Sequence, residues 1–251
     1  MNMRKPLFSC IIPVKGVRPF LGAALSSLKS QGLGDNLEII VQDADVVPDL
    51  GQSDGINKGM SKANGEWLFW LNADDILLRN SLSKVQSAIT ANPSARWICA
   101  NTVYMDTNDI ITGASRYAKW RWCYGRHFPV WSGGPSSFFR RDLWLESGGC
   151  DTELRFVMDI DLWIRWAEKG ERFLAIDDYI WGFRQHAGSL TGSGINLEER
   201  HREYLRMLST HGIKYSLWHR NLIRIQRLLD AEWLLQVYDC SKLSGLSAHM
   251  L

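Results

Sequence analysis

The chain has 251 residues, 45% of them hydrophobic, with 29 basic against 27 acidic side chains and a formal net charge of +2. That is enough chain for one large α/β domain or two small ones with an ample core, and the near balance of charge argues against a general polyanion binder. Cys10, Cys99, Cys123, Cys150 and Cys240 form no C-x-x-C pair, which points to free thiols in a reducing compartment and away from a disulfide framework or a zinc site. The apolar stretch at Met1 to Pro13 is shorter than a signal peptide needs, and no window approaches the ~20 apolar residues of a membrane span, so a cytoplasmic protein is expected. Twelve tryptophans are unusual, and tryptophan serves equally in cores, on sugar-stacking surfaces and at membrane interfaces.

Leu7 to Val14 reads as a buried strand, followed by a Lys15-Gly16 turn. Pro19 suits a first helical position, Leu21, Leu25 and Leu28 recur at helical spacing, and Gly32 supplies a stop. Leu37 to Asp43 is a second apolar strand ending in an acid, which completes a βαβ unit with parallel strands. No G-x-G-x-x-G follows the first strand, so a dinucleotide-binding oxidoreductase loses its main signal. A short helix is expected between Asp54 and Asn64, with Ile56, Met60 and Ala63 inward and Asn57 and Lys58 facing either a nucleotide or solvent.

The chain is organised around Glu66-Trp67-Leu68-Phe69-Trp70-Leu71-Asn72-Ala73-Asp74-Asp75. A continuous apolar run of this kind suits a strand covered on both faces, as in a parallel sheet between helices. The acids then stand at its C-terminal end, where ligands bind in open α/β sheets. Two neighbouring carboxylates repel unless they share a cation or proton, and hard divalent cations commonly join carboxylates to substrate phosphates. Asp74 and Asp75 therefore read either as a metal and diphosphate site or as caps of the next helix. Asp43 stands at its strand end in the same way, where an acid either accepts from a ribose or base or is a loop carboxylate with no partner.

Asn80 is expected to cap a helix carrying Leu82, Val85 and Ile89, ended by Asn92-Pro93, before a strand at Arg96 to Asn101. Ile110 to Arg141 holds no acid, and its basic residues alternate with aromatics such as Trp120, Trp122 and Trp131. Such a stretch either stacks on rings and pairs with phosphates or is a basic surface. Gly148 to Asp151 makes a turn, and Asp159 and Asp161 open a helix whose Ile160, Trp163, Ile164 and Ala167 form an apolar stripe. Acids there are either dipole partners of the helix or, for one of them, a general base whose pKa burial raises. Tyr179 to Ser189 reads as a strand entering a glycine-containing loop, with Arg184 and His186 either in reach of phosphate or metal or, for the lone histidine, plain surface. Beyond Asn196, Leu197 to Leu208 marks one helix and Trp218 to Leu229 a basic amphipathic one, suited to a membrane surface or to docking.

The order of these stretches resembles the inverting glycosyltransferases of family 2, over roughly residues 7 to 190. Phe8 to Pro13 is similar to the family's opening strand, Ile39 to Asp43 to its nucleotide-holding strand, and Leu71 to Asp75 to its D-x-D region. Ser136 to Arg141 with Gly148 to Asp151 resembles the segment before the catalytic helix, Asp159 matches the general base, and Arg184-Gln185-His186 resembles the loop over the diphosphate. The chain departs from the family at Asn72, where many members have the first acid, at Ala44-Asp45, and at Gly134-Pro135.

The resemblance implies an α/β, GT-A fold over residues 1–194, with a mostly parallel sheet flanked by helices, and a helical C-terminal extension over 195–251. It implies a metal-dependent inverting enzyme that moves a sugar from a nucleotide diphosphate donor, UDP-linked first of all, to a saccharide or lipid-linked saccharide acceptor in surface polysaccharide biosynthesis. Asp159 is then the base; Pro13, Asp43, Asn57, Lys58, Asn72, Asp74 and Arg184 bind donor; Asp74, Asp75 and His186 hold Mg²⁺ or Mn²⁺; Trp131 and Asp161 bind acceptor. No nucleic-acid partner is expected, and membrane contact at the inner face is peripheral, through the C-terminal helices. The competing reading is a non-catalytic nucleotide-sugar-binding or scaffold protein on the same fold.

Overall fold

The structure is a computed structural model that describes residues 5–116, 134–190, 196–214, 221 and 232–251. Trp131, most of the basic aromatic stretch and the Trp218 to Leu229 helix lie outside the described residues.

Among the described residues one eight-stranded sheet carries the fold, in the order β2-β1-β3-β7-β5-β8-β4, with β6 paired to β5. Its strands are β1 (Phe8–Val14), β2 (Leu37–Asp43), β3 (Trp67–Trp70), β4 (Ile76–Leu77), β5 (Trp97–Met105), β6 (Ile111–Ser115), β7 (Ser137–Arg140) and β8 (Leu174–Arg184). β1 lies parallel to both β2 and β3. The crossovers are α1 (Leu21–Lys29) and α2 (Gln52–Lys62). Beyond β3 the sheet is mixed: β7 runs antiparallel to β3 and β5, β8 parallel to β5, and β4 antiparallel to β8. The parallel half is the part built from βαβ units, because a crossover helix returns the chain to the same edge of the sheet.

The continuous apolar runs of β1 and β3 arise because both faces are covered. Ile11, Leu68, Trp70, Trp97 and Phe139 face a core formed with α2, α4 (Arg141–Ser147), α5 (Met158–Glu168) and α6 (Leu197–Thr210). Cys10, Ile12, Phe69, Ile98 and Phe138 face the other, beneath α1 and α3 (Ser81–Ala91). Cys240 and Leu243 of α7 (Glu232–Leu243) pack on a third cluster with Val103, Met105 and Ile111. α2 approaches β1 closely at Gly59, where a Cβ would stand 2.4 Å from Cγ2 of Ile11.

Tryptophan here is core material. Trp67, Trp70, Trp97, Trp144, Trp163, Trp166 and Trp181 are all buried. Trp163 of α5 stacks on Trp70 at 5.8 Å and on Trp97 at 5.1 Å between ring centroids. Each such pair adds about 0.5–1.5 kcal/mol beyond its buried area, so the helix that carries Asp159 is seated on β3 and β5 by aromatic contact.

The α3 terminus differs from expectation. Asn80 is left-handed at φ 57° and caps nothing with its side chain. The orphan N–H of Leu82 is met instead by Oε1 of Gln31 at 3.0 Å, from the end of α1. A side chain 51 positions away carries no local signal.

Candidate active site

The ends of β1, β3 and β8, the first turn of α5 and one face of α6 enclose a cleft of about 1200 Å³. Pro13, Asn72, Asp74, Asp159 and His186 line it, so the structure gathers these expected residues at one site.

Where β1 and β2 end, Asp43 terminates β2 and accepts from Nη2 of Arg18 at 2.8 Å. Asp45 accepts from the same nitrogen at 2.5 Å and from the Gly16 N–H at 2.9 Å, which closes the loop after β1 over the loop after β2. Arg18 itself lines the cleft.

The turn after β3 is held by a chain of side chains. Gln52 donates to Oδ1 of Asn72 at 2.8 Å, and Nδ2 of Asn72 donates to Asp75 at 2.8 Å. The second oxygen of Asp75 accepts from the Arg184 N–H at 2.9 Å. Asp75 is fully buried, and burial followed by the neighbouring Asp74 charge pushes its carboxyl well above the ordinary range. Asp74 turns outward, with its Oδ2 3.0 Å from Nε2 of His186.

Across the cleft, Asp159 lies in the first turn of α5 and accepts from the Ile160 N–H at 2.8 Å. Burial pushes its carboxyl up to about 6, against hydrogen bonds from backbone N–H groups and the charge of Arg200. A carboxyl placed there holds a proton weakly enough to lose it near neutrality and strongly enough to accept one.

The support behind Asp159 comes from α6. Glu203 accepts from the successive N–H groups of Arg155, Phe156 and Val157 at 3.1, 2.7 and 3.1 Å, satisfying the donors that lead into α5. His211, just past α6, lies 2.9 Å from Asp161 and 3.0 Å from Glu168. Its pKa is raised, first by the Asp161 hydrogen bond. For Asp161, burial alone raises the pKa, but His211 and Arg165 outweigh it and the net shift is downward.

Several expected ligands are spent on structure and do not line the cleft. Asn57 clasps Cys150 with two hydrogen bonds, 2.8 Å to its carbonyl and 2.9 Å from its N–H, fixing the turn before α5. Gly149 in that turn sits at φ +83°, where a Cβ would come 2.7 Å from Oδ1 of Asn57. Lys58 is bound within its own helix turn, to Asp54 at 2.8 Å and to the Pro48 carbonyl at 2.7 Å. Asp161 is committed to Arg165 and His211. Arg184 is 1% exposed, pairs with Asp109, donates to the carbonyl of Asp74 at 2.8 Å and stacks on Phe20 at 4.4 Å. It braces the Asp74 turn from behind.

Comparison with known proteins bears on this arrangement directly. The model of glycosyl transferase family 2 matches residues 46–150, from the loop after β2 through the turn before α5. Over these residues the chain is similar to that family. The chain is also similar to the PGL/p-HBAD biosynthesis glycosyltransferases of Mycobacterium tuberculosis and Mycobacterium bovis, 28% identical over 187 residues, or 65% of this chain and 70% of theirs. The O-antigen biosynthesis protein RfbC of Myxococcus xanthus is 24% identical over 243 residues, covering 83% of this chain and 18% of that protein. Among solved structures, residues 1–349 of S. aureus TarS with UDP-GlcNAc superpose with a TM-score of 0.60 at 14% identity, covering 80% of this chain and 65% of that one. The mannosyltransferase PcManGT of Pyrobaculum calidifontis, with GDP-Man and Mn²⁺, gives 0.54 at 15% identity over 90% of this chain and 81% of that one. These likenesses show the fold, which is GT-A.

Sequence reasoning missed the side chains that assemble this candidate site from a distance. Arg18 and Gln52 lie in segments read for their apolar neighbours, and Arg200, Glu203 and His211 sit among so many charges on α6 that none stands out.

Proposed function

We propose that the protein transfers a sugar from a nucleotide diphosphate donor, UDP-linked first, to a hydroxyl of a saccharide or lipid-linked saccharide, with inversion at the anomeric carbon. The observation that carries this reading is the placement of Asp74 with His186 and of Asp159 on the same cleft, the latter with its carboxyl pushed up to about 6. Pro13, Asn72 and Asp74, with Arg18 held by Asp43 at the end, form the donor half. Asp159 takes the proton of the acceptor hydroxyl as its oxygen bonds to the anomeric carbon, and the bond from that carbon to the diphosphate breaks on the opposite face. Base catalysis of this kind is worth roughly 10²–10⁴-fold.

The donor set suits a hard divalent cation that keeps water and substrate phosphate in its shell. Asp74 offers an outward carboxylate and His186 an adjacent imidazole. Bound there, Mg²⁺ or Mn²⁺ would neutralise charge on the departing diphosphate. Asp75, buried and accepting from Asn72 and Arg184, orients the turn that presents Asp74.

The curated relatives are named for PGL/p-HBAD and O-antigen biosynthesis, which supports a surface saccharide as the product. No helix among the described residues is long and apolar enough to cross a membrane.

The test is calorimetric titration with UDP, GDP and their sugars, with and without Mn²⁺. Metal-dependent binding of one nucleotide, lost in Asp74→Ala, is expected. Absence of binding by any nucleotide would favour the scaffold reading.

A further inference from the structure

Leu197, Arg200, His201 and Tyr204 recur at the spacing of one helix face and line the cleft beside Asp159. This face is held in place from the middle of α6 and from its C-terminal end. Glu203 receives the N–H groups that lead into α5, and His211 joins Asp161 and Glu168 behind it. The wall is thus fixed relative to the carboxyl of Asp159.

The charges on the cleft are unevenly matched. Arg18, at the nucleotide end, is paired with Asp43 and Asp45. Arg155 lies 3.8 Å from Glu199 and over the ring of Phe156. Arg200 pairs with no carboxylate among the described residues, and it is solvent-exposed. Its charge is felt by Asp159, yet no hydrogen bond joins the two. A guanidinium kept only to tune that carboxyl would gain most by bonding to it. Held apart beside the base, it is placed to meet a second group on the molecule whose hydroxyl the base deprotonates.

We propose that Arg200 on α6 is the acceptor-recognition residue, and that the acceptor carries an anion, a phosphate or a carboxylate, close to its attacking hydroxyl. This rests on the assignment of Asp159 as the base. A planar guanidinium binds either anion with two parallel hydrogen bonds. The cleft of about 1200 Å³ is larger than one small ligand fills, which leaves the α6 side for the acceptor. Neutral acceptors would leave Arg200 without a partner.

The full chain is titrated calorimetrically, with saturating UDP and Mn²⁺, against glucose, glucose 6-phosphate and glucuronate, in the wild type and in Arg200→Gln and Arg200→Lys. Nucleotide occupies the donor half, so a charged probe cannot bind there. At least one charged probe should bind about tenfold or more tighter than glucose. That preference should vanish in Arg200→Gln and survive in part in Arg200→Lys, with UDP affinity unchanged. Preference for glucose 6-phosphate alone identifies phosphate as the source, and preference for both identifies any anion. Equal binding of all three sugars, no binding of any, or a preference retained in Arg200→Gln overturns the proposal. The UDP titration is read separately: if UDP fails to bind, the donor reading falls, and the probes are compared without nucleotide, where the same dependence on Arg200 decides. Arg200 is exposed, so the variants should keep the wild-type circular dichroism and melting temperature.

Discussion

Nδ2 of Asn72 donates to Oδ2 of Asp75 at 2.8 Å, so the amide at the head of this turn serves a buried carboxylate. An acid in place of Asn72 would set two carboxylates at hydrogen-bond distance, one of them fully buried. They would share a proton, and the pair's folded pKa would rise above its unfolded value. The stability of such a pair is present below the unfolded pKa and is lost as pH rises through the raised value. Asn72→Asp should therefore cost on the order of 1–3 kcal/mol at pH 7.5 and markedly less near pH 4.5. Urea unfolding at the two pH values measures it, and an equal cost at both would show that charge is not what the amide relieves.

Asp159 gives opposite signs for activity and stability. With its carboxyl pushed up to about 6, transfer should fall on the acid side with a midpoint near that value. Asp159→Asn should remove that limb together with roughly 10²–10⁴-fold of the rate. The folded pKa lies above the unfolded one, so the protonated form favours folding below about pH 4 and that contribution is lost as pH rises through 6. At pH 8 the Asn variant should be the more stable protein by on the order of 1–3 kcal/mol, with no gain at pH 4. Thermal melts across this range, beside initial rates, test both signs. A variant less stable than wild type at pH 8 would remove the burial argument.

Strand runs and strand-end acids were legible because they are local. β1, β2, β3 and α5 follow from apolar runs and spacing, and Asp74 and Asp159 from their places at the ends of such elements. Short β4 and β6 were not, since two to five residues carry no period that separates them from a loop. Direction was illegible for the polar side chains. Asn57 and Lys58 share the helix that flanks the cleft, yet both turn to backbone or helix partners at 2.7–2.9 Å. A buried Arg184 could not be told from a loop arginine, because its partners Asp109 and the Asp74 carbonyl come from other parts of the chain.

Asn57 gives a way to separate clasp from ligand. Asn57→Ala leaves the N–H and carbonyl of Cys150 without their partner. The expected cost is about 1–3 kcal/mol. Since the clasp fixes the turn before α5, kcat should drop with nucleotide affinity nearly unchanged. Denaturant unfolding and a UDP titration of the same variant decide it: a large loss of UDP binding with native stability would return Asn57 to the donor site.

His211 joins α6 to α5 through Asp161 and Glu168, and those acids raise its pKa against the opposing effect of burial. For a histidine whose folded pKa exceeds its unfolded value, the stabilisation is complete below the unfolded value of about 6.5 and is lost as pH rises through the folded one. His211→Gln should thus cost about 1–3 kcal/mol at pH 6, the range for hydrogen bonds to charged groups, and progressively less toward pH 9. Urea unfolding of the variant and the wild type at both pH values gives the difference. The same joint holds the α6 face beside Asp159, so at pH 6 the variant should also show a raised acceptor KM with donor KM near wild type. A stability loss of equal size at pH 6 and pH 9 would mean that His211 contributes by packing, and its two carboxylate partners would then need another reason to converge on it.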